Sequence, residues 1–288
     1  MAAPGRGSRC DPGTPAWCLA KIAFGDIEPA MRHPAAGGFV VGRAVSSRGR
    51  AAARRPVRGL IIGSVLASAA IAGCASASTN ALAGKDALAG QSGKQILDRA
   101  VGNLKAAPSF TMSGNVTQSG RAFSVDLGYQ PARGCTGTVA QAGRGSFTLT
   151  VIGATAWIRP DDAFWRSIAG SRAPSLIAAA GGRFLQGPAS DRAVAGLTAL
   201  CDVNTLAAQL QAPSTVERAG LKPFAGTLAV PLTDVAQGGT LYVTDQARPQ
   251  VIQLRNSRSG KITFHVNAPV TLTPPPPAKT VSAADFGL

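Results

Sequence analysis

The chain has 288 residues, room for one or two domains at roughly 100–200 residues each. Lys and Arg number 29 against 14 Asp and Glu, a formal net charge of +15, yet charged residues make only 15% of the chain and aromatics 5%. A single long apolar run excludes a multi-span membrane protein, and two His and five Cys that do not cluster argue against a metal centre built on them.

Residues 1–50 hold Cys10, Trp17 and Cys18 among many Gly, Pro, Ala and Arg, and show no hydrophobic periodicity. They read as a disordered extension. An upstream start assignment, with Met31, Val41 or Val45 as the true initiator, accounts for them, as does a long cytoplasmic n-region. Residues 51–73 read as a signal peptide. Arg54, Arg55 and Arg58 precede the uncharged run Gly59–Ala72. That run is about 14 residues, roughly 21 Å as a helix, short of a ~30 Å hydrocarbon core. It fits a secretory h-region better than a stop-transfer helix. It ends in Ile71-Ala72-Gly73-Cys74, which resembles the bacterial lipobox. In that chemistry small residues admit the backbone to the processing enzymes. The Cys74 thiol takes the diacylglyceryl group and becomes the first residue. The expectation is an exported chain anchored to the outer face of the cytoplasmic membrane as a lipoprotein.

Residues 74–93 are small and polar without an apolar face, and read as a flexible tether. A helix is expected over Gln95–Ala106, where Ile96, Leu97, Ala100, Val101 and Leu104 form one stripe. The period then changes to two. Phe110–Val116 and Ala122–Gly128 read as a hairpin turning at Ser119-Gly120. Cys135–Ala140 and Ser146–Ile152 form a second pair around Gly143-Arg144-Gly145, and Thr155–Arg159 adds another strand. Asp161–Ile168 reads as a short helix capped by an acid, followed by helix candidates at Ser175–Ala180 and Asn204–Leu210, the latter capped by Asp202. Strands return at Gly226–Pro231, Gly239–Thr244, Pro249–Asn256 and Lys261–Asn267. The C-terminal stretch 271–288 reads as a Pro-rich tail in which Pro274 to Pro277 favour an extended polyproline conformation. The order of elements points to an α+β domain over 94–270, a curved antiparallel sheet with helices on one face.

Chemistry-bearing residues are sparse. With Cys74 acylated, Cys135 and Cys201 remain, and in an exported chain that pair most simply forms a disulfide. No hydrolase, zinc-protease or phosphate-loop signature is present, so no catalytic residue, metal or cofactor is expected and the chain does not read as an enzyme. Asp161-Asp162 reads as a cap and a surface turn, and His265 as a strand-face residue. The basic residues are scattered, and an exported domain meets no genome. Attraction to an anionic membrane surface fits the charge better than nucleic acid.

The lipobox, small-residue tether, helix, hairpin over Ser109–Leu127 and the Trp157…Phe164-Trp165 stretch together resemble envelope lipoproteins of the LppX/LprG type, which share a fold with the carrier LolA and RseB-like sensors. The resemblance spans roughly residues 91–270. It implies a half-barrel sheet whose concave face, roofed by helices, forms an apolar cavity for acyl chains. The candidate liners are Phe110, Met112, Phe123, Val125, Leu127, Leu149, Val151, Trp157, Phe164, Trp165, Leu228, Tyr242 and Phe264. A hollow interior would bind a lipid or other amphiphile. A filled one would make the domain a structural or RseB-like module that binds a partner protein in the envelope.

Overall fold

The computed structural model describes residues 86–286 except Ser119 and Gln237. They belong to one of the two units into which the chain divides; the other, Met31–Ala81, falls outside the described residues. The extension, the signal peptide with Cys74 and most of the tether also lie outside them.

Helix α1 (Gly93–Ala106) begins two residues before the expected start because Ser92 and Gln95 form a capping box. Ser92 Oγ accepts from the Gln95 amide, and Gln95 Oε1 accepts from the Ser92 amide. The helix ends before Pro108, whose ring disfavours a helical conformation at Ala107. Its apolar stripe is fully used: Ile96, Leu97, Ala100, Val101 and Leu104 are all buried.

The first meander follows the predicted alternation. It comprises β1 (Phe110–Gln118), β2 (Arg121–Gln130), β3 (Gly134–Gln141), β4 (Gly145–Ile152) and β5 (Thr155–Pro160). Helices α2 (Asp162–Ala169) and α3 (Ala173–Ala180) come next. Strand β6 (Phe184–Pro188) was not legible, since its Gly187-Pro188 reads as a breaker. A four-residue helix α4 (Ala195–Thr198) leads through a 3₁₀ turn at Ala199–Cys201 into α5 (Val203–Gln211). Two three-residue strands, β7 (Val216–Arg218) and β8 (Lys222–Phe224), are too short to show a period. The second meander contains β9 (Thr227–Asp234), β10 (Thr240–Thr244), β11 (Val251–Asn256) and β12 (Gly260–Val266), and the last strand is β13 (Thr280–Ser282).

Among the described residues thirteen strands form one sheet in the order β13-β6-β5-β4-β3-β2-β1-β12-β11-β10-β9-β7, with β8 also on β9. The two meanders join where β1 pairs antiparallel with β12, Met112 opposite Phe264. A twisted sheet of this width has to curl. Here it remains unclosed, and the same face of both halves feeds one core that includes Phe147 and Val139 from one side and Leu232 and Val243 from the other. Helices α1 and α5 cover that concave face, contributing Leu97, Leu206, Ala207 and Leu210 to the same core. The expected α+β architecture, a curved antiparallel sheet covered by helices, is therefore the one observed.

The C-terminal stretch is not a free tail over its described residues. After β12 the chain crosses the convex back of the sheet. Ser109 Oγ donates to the Ala268 carbonyl at 2.6 Å, Gln130 Nε2 to the Val270 carbonyl at 2.6 Å, and Leu272 is buried. The chain then pairs as β13, parallel to β6 at the far edge. Phe286 ends it by stacking on Trp165, ring centroids 6.2 Å apart, in a second small core with Ala180 and Leu185.

Candidate functional site

Over β1–β5 the concave interior is filled. Phe110 stacks on Tyr129 at 4.5 Å, and Phe147 meets Phe164 of α2 edge-on at 5.2 Å. All four are at most 1% exposed. The Tyr129 hydroxyl donates to the Leu200 carbonyl at 2.7 Å, which satisfies the one polar atom the ring brings into the core. Burial pushes its pKa well up, so the hydroxyl stays a donor. Tyr129 is opposite Cys135 in the sheet register, and Cys135 is bonded to Cys201, Cα atoms 5.2 Å apart. The predicted disulfide thus ties β3 to the turn that carries Leu200.

The register sorts the expected cavity residues by face. Phe110, Met112, Phe123, Val125, Leu127, Leu149, Val151 and Phe264 share the concave core, with Phe164 packed onto it from α2. Leu228 alternates in phase with Val230 and Leu232 and is half-buried. Trp157 does not join them. Its partners are Thr150 and Gln186 on the convex face, one residue out of phase with Ile158. Tyr242 is also convex and stacks on Phe224 at 4.4 Å. Trp165 belongs to the second core with Phe286. These three are corrections to the expected lining. Trp157 and Tyr242 take the other phase of their strands, Tyr242 under Phe224 of β8, while Trp165 leaves the first core because the C-terminal Phe286 reaches it.

A cleft opens instead between the helical cover and the second meander. Its apolar wall consists of Leu97 of α1, Leu210 of α5, Val216 of β7, Leu232 of β9, Leu241 of β10 and Leu254 of β11. Its volume is about 40 Å³, room for water-sized occupants and far below the roughly 300–1,000 Å³ of ligand sites. Gln209 lines the cleft, and its Oε1 is buried without a hydrogen-bond partner. Such an acceptor costs about 1–3 kcal/mol until something donates to it. At the mouth, Asp234 accepts from the Ala236 amide at 2.9 Å and Asn256 from the Arg258 amide at 2.9 Å, so both shape their own turns. None of the wall residues was among the sequence candidates. The alternation of β9–β11 carries the signal for Leu232, Leu241 and Leu254, but their phase holds no aromatic residue, Tyr242 lying on the opposite face.

The acidic pair is structural where it was expected to be. Asp161 accepts from the Phe164 amide at 2.6 Å as the cap of α2, and from the Ser146 amide and hydroxyl, both at 2.8 Å. Burial raises its carboxyl, and these hydrogen bonds outweigh that and hold it below its ordinary value. An open groove of about 650 Å³ lies beside it with Arg159 and Arg166. Among the described residues no three His, Cys, Asp or Glu converge as metal ligands, and no helix is long and apolar enough to cross a membrane. His265 is exposed on β12.

No protein-family model matches the chain, and no curated protein does. Solved structures do. The chain is similar to LprF from Mycobacterium bovis at 17% identity and a TM-score of 0.43, over 64% of this chain and 96% of that one. It is similar to an uncharacterised conserved protein from Thermus thermophilus at 13% identity and a TM-score of 0.34, over 67% and 99% of the two chains. A DUF1329 family protein from Desulfovibrio piger gives 10% identity and a TM-score of 0.22, over 62% and 93%.

Proposed function

We propose that the chain is an exported lipoprotein, anchored through a diacylglyceryl group on Cys74, whose domain takes up the acyl chain of a lipid or comparable amphiphile in the cleft between α1, α5 and β9–β11. The observation that carries the reading is the cleft's composition: an aliphatic wall with one unpartnered acceptor, Gln209 Oε1. An acyl chain satisfies the wall, and a hydroxyl or amide on the same ligand satisfies Gln209. At about 40 Å³ the cleft is too small for an acyl chain, so uptake requires α1 and α5 to part from the sheet. That route breaks no covalent link but has to release the hydrogen bonds of Arg99 to the Ala247 carbonyl and of Asn103 to the Pro249 carbonyl. The β1–β5 half is held by the Cys135–Cys201 bond.

Native mass spectrometry of protein purified from membranes tests the proposal. A bound amphiphile should appear as added mass, and Leu232→Trp, which fills the cleft, should remove it while the thermal transition persists. A ligand-free mass for both forms refutes the reading. The filled interior of the first meander favours a second reading, a sensor or scaffold module for the extracytoplasmic segment of a partner protein. Capture of one specific membrane protein by the ligand-free chain would support that reading instead.

A further inference from the structure

The register gathers three hairpin turns at one end of the sheet. Gln118 is opposite Arg121, Gln141 is opposite Gly145, and Asn256 is opposite Gly260, which in turn is level with Val116. The β9–β10 turn belongs to the same end, because Thr240 pairs with both Thr233 and Arg255. Arg121, Arg144, Arg258 and Lys261 are carried on or beside these turns. Val235, in the β9–β10 turn, is 52% exposed, the one large apolar side chain so exposed among the described residues. The cleft reaches the same end, since Asp234, Gly239 and Asn256 line it. The acids nearby are Asp234, turned into its own loop, the exposed Glu217 of β7 opposite Thr233, and Asp161 and Asp162 at the β4–β5 margin, fewer than the basic residues Arg121, Arg144, Arg255, Arg258 and Lys261 at this end. The opposite end differs. There Arg133 and Arg248 stand with Asp86 and Asp245, and no large apolar side chain is exposed among the described residues.

We infer that the turn-bearing end of the sheet docks on an anionic bilayer, with Val235 entering the headgroup layer and the basic turns on lipid phosphates, so that the cleft opens onto the membrane. The inference rests on the proposed anchoring and amphiphile uptake and adds an orientation and a lipid charge to them. Charge complementarity selects the partner: cations around a lone aliphatic tip fit the anionic interface, whose surface potential attracts them within about one Debye length. The tether permits the orientation. Ala87 and Leu88 are held by Asp245 at the far end. The twelve residues from Cys74 to Asp86 extend to about 40 Å, longer than the ~30 Å of a nine-residue strand.

Hydrogen exchange of the full chain reconstituted in vesicles tests this. Anchoring retains the protein on neutral phosphatidylcholine and on phosphatidylcholine mixed with phosphatidylglycerol alike. The expected result is roughly tenfold slower exchange at the turns 142–144, 235–238 and 257–259 on the anionic vesicles only. About 0.5 M salt should reverse it. The double variant Arg144→Glu, Arg258→Glu should also abolish the difference while still carrying any bound amphiphile, which separates a failure of docking from a failure of uptake. Equal protection on both vesicle types overturns the inference. So does protection confined to other surfaces, or protection that needs a second envelope protein.

Discussion

Val270 lies directly over Gly128: a Cβ on Gly128 would come within 3.0 Å of Val270 Cγ1. Gly128 belongs to a row across the convex face, Thr111, Gly128, Thr136, Thr150 and Trp157, one residue per strand. The C-terminal segment uses this row as its track. From β12 to β13 it crosses seven strand spacings, about 34 Å. The fourteen steps from Val266 to Thr280 cover about 43 Å as polyproline but only about 21 Å as a helix. Only a largely extended form reaches; Pro274 to Pro276 preset it, and Pro277 opens the 3₁₀ turn Pro277–Lys279 that leads into β13.

Gly128→Val should therefore lift the strap. Crowding of this kind costs about 1–3 kcal/mol. The expected outcome is a lower midpoint in chemical denaturation, with faster amide exchange over 268–282 and little change in α1.

Tyr129 and the Cys135–Cys201 bond fasten the same turn by independent means. Replacing both cysteines with Ala should cost about 4 kcal/mol by the chain-entropy estimate for a loop of this length. Tyr129→Phe orphans the buried Leu200 carbonyl, at about 1–3 kcal/mol. Because both act on the Ala199–Cys201 turn, the combined variant should lose less than the two losses added, as measured in urea melts.

Acid should weaken the fold through carboxylates held below their ordinary value. Arg218 hydrogen-bonds Asp86, and the cap interactions of Asp161 and Asp202 outweigh their burial. A depressed carboxyl contributes its stability in full above its unfolded pKa, near 3.8, and loses it as pH falls through the folded value. Stability should thus be level from about pH 5 upward on this account and fall below about pH 4. Asp161→Asn, which keeps a capping oxygen without the charge, should flatten part of that acid limb in melts across pH.

Labelled palmitate should enter the chain at Cys74, and Cys74→Ala should abolish incorporation and release the protein from membranes. Equal labelling of both forms would place the acceptor elsewhere.

Local pattern carried much of this protein. The stripe of α1, the hairpins of both meanders, the Asp161 and Asp202 caps and the pairing of Cys135 with Cys201 were all readable, because each depends on neighbours in sequence or on simple parity. Strands β6, β7, β8 and β13 were not, since three to five residues around Gly or Pro carry no period and acquire one only from a partner strand. The face of Trp157 and Tyr242 shows the deeper limit. Alternation says that two side chains point oppositely, never which side is concave, and here distant segments cover patches of both. The filling of the first meander and the small aliphatic cleft in the second were likewise decided by tertiary packing, the cleft by α5 and β9–β11 meeting an α1 more than a hundred residues before those strands. Side-chain volume against available space, which no single segment contains, determines whether an apolar face becomes core or opening.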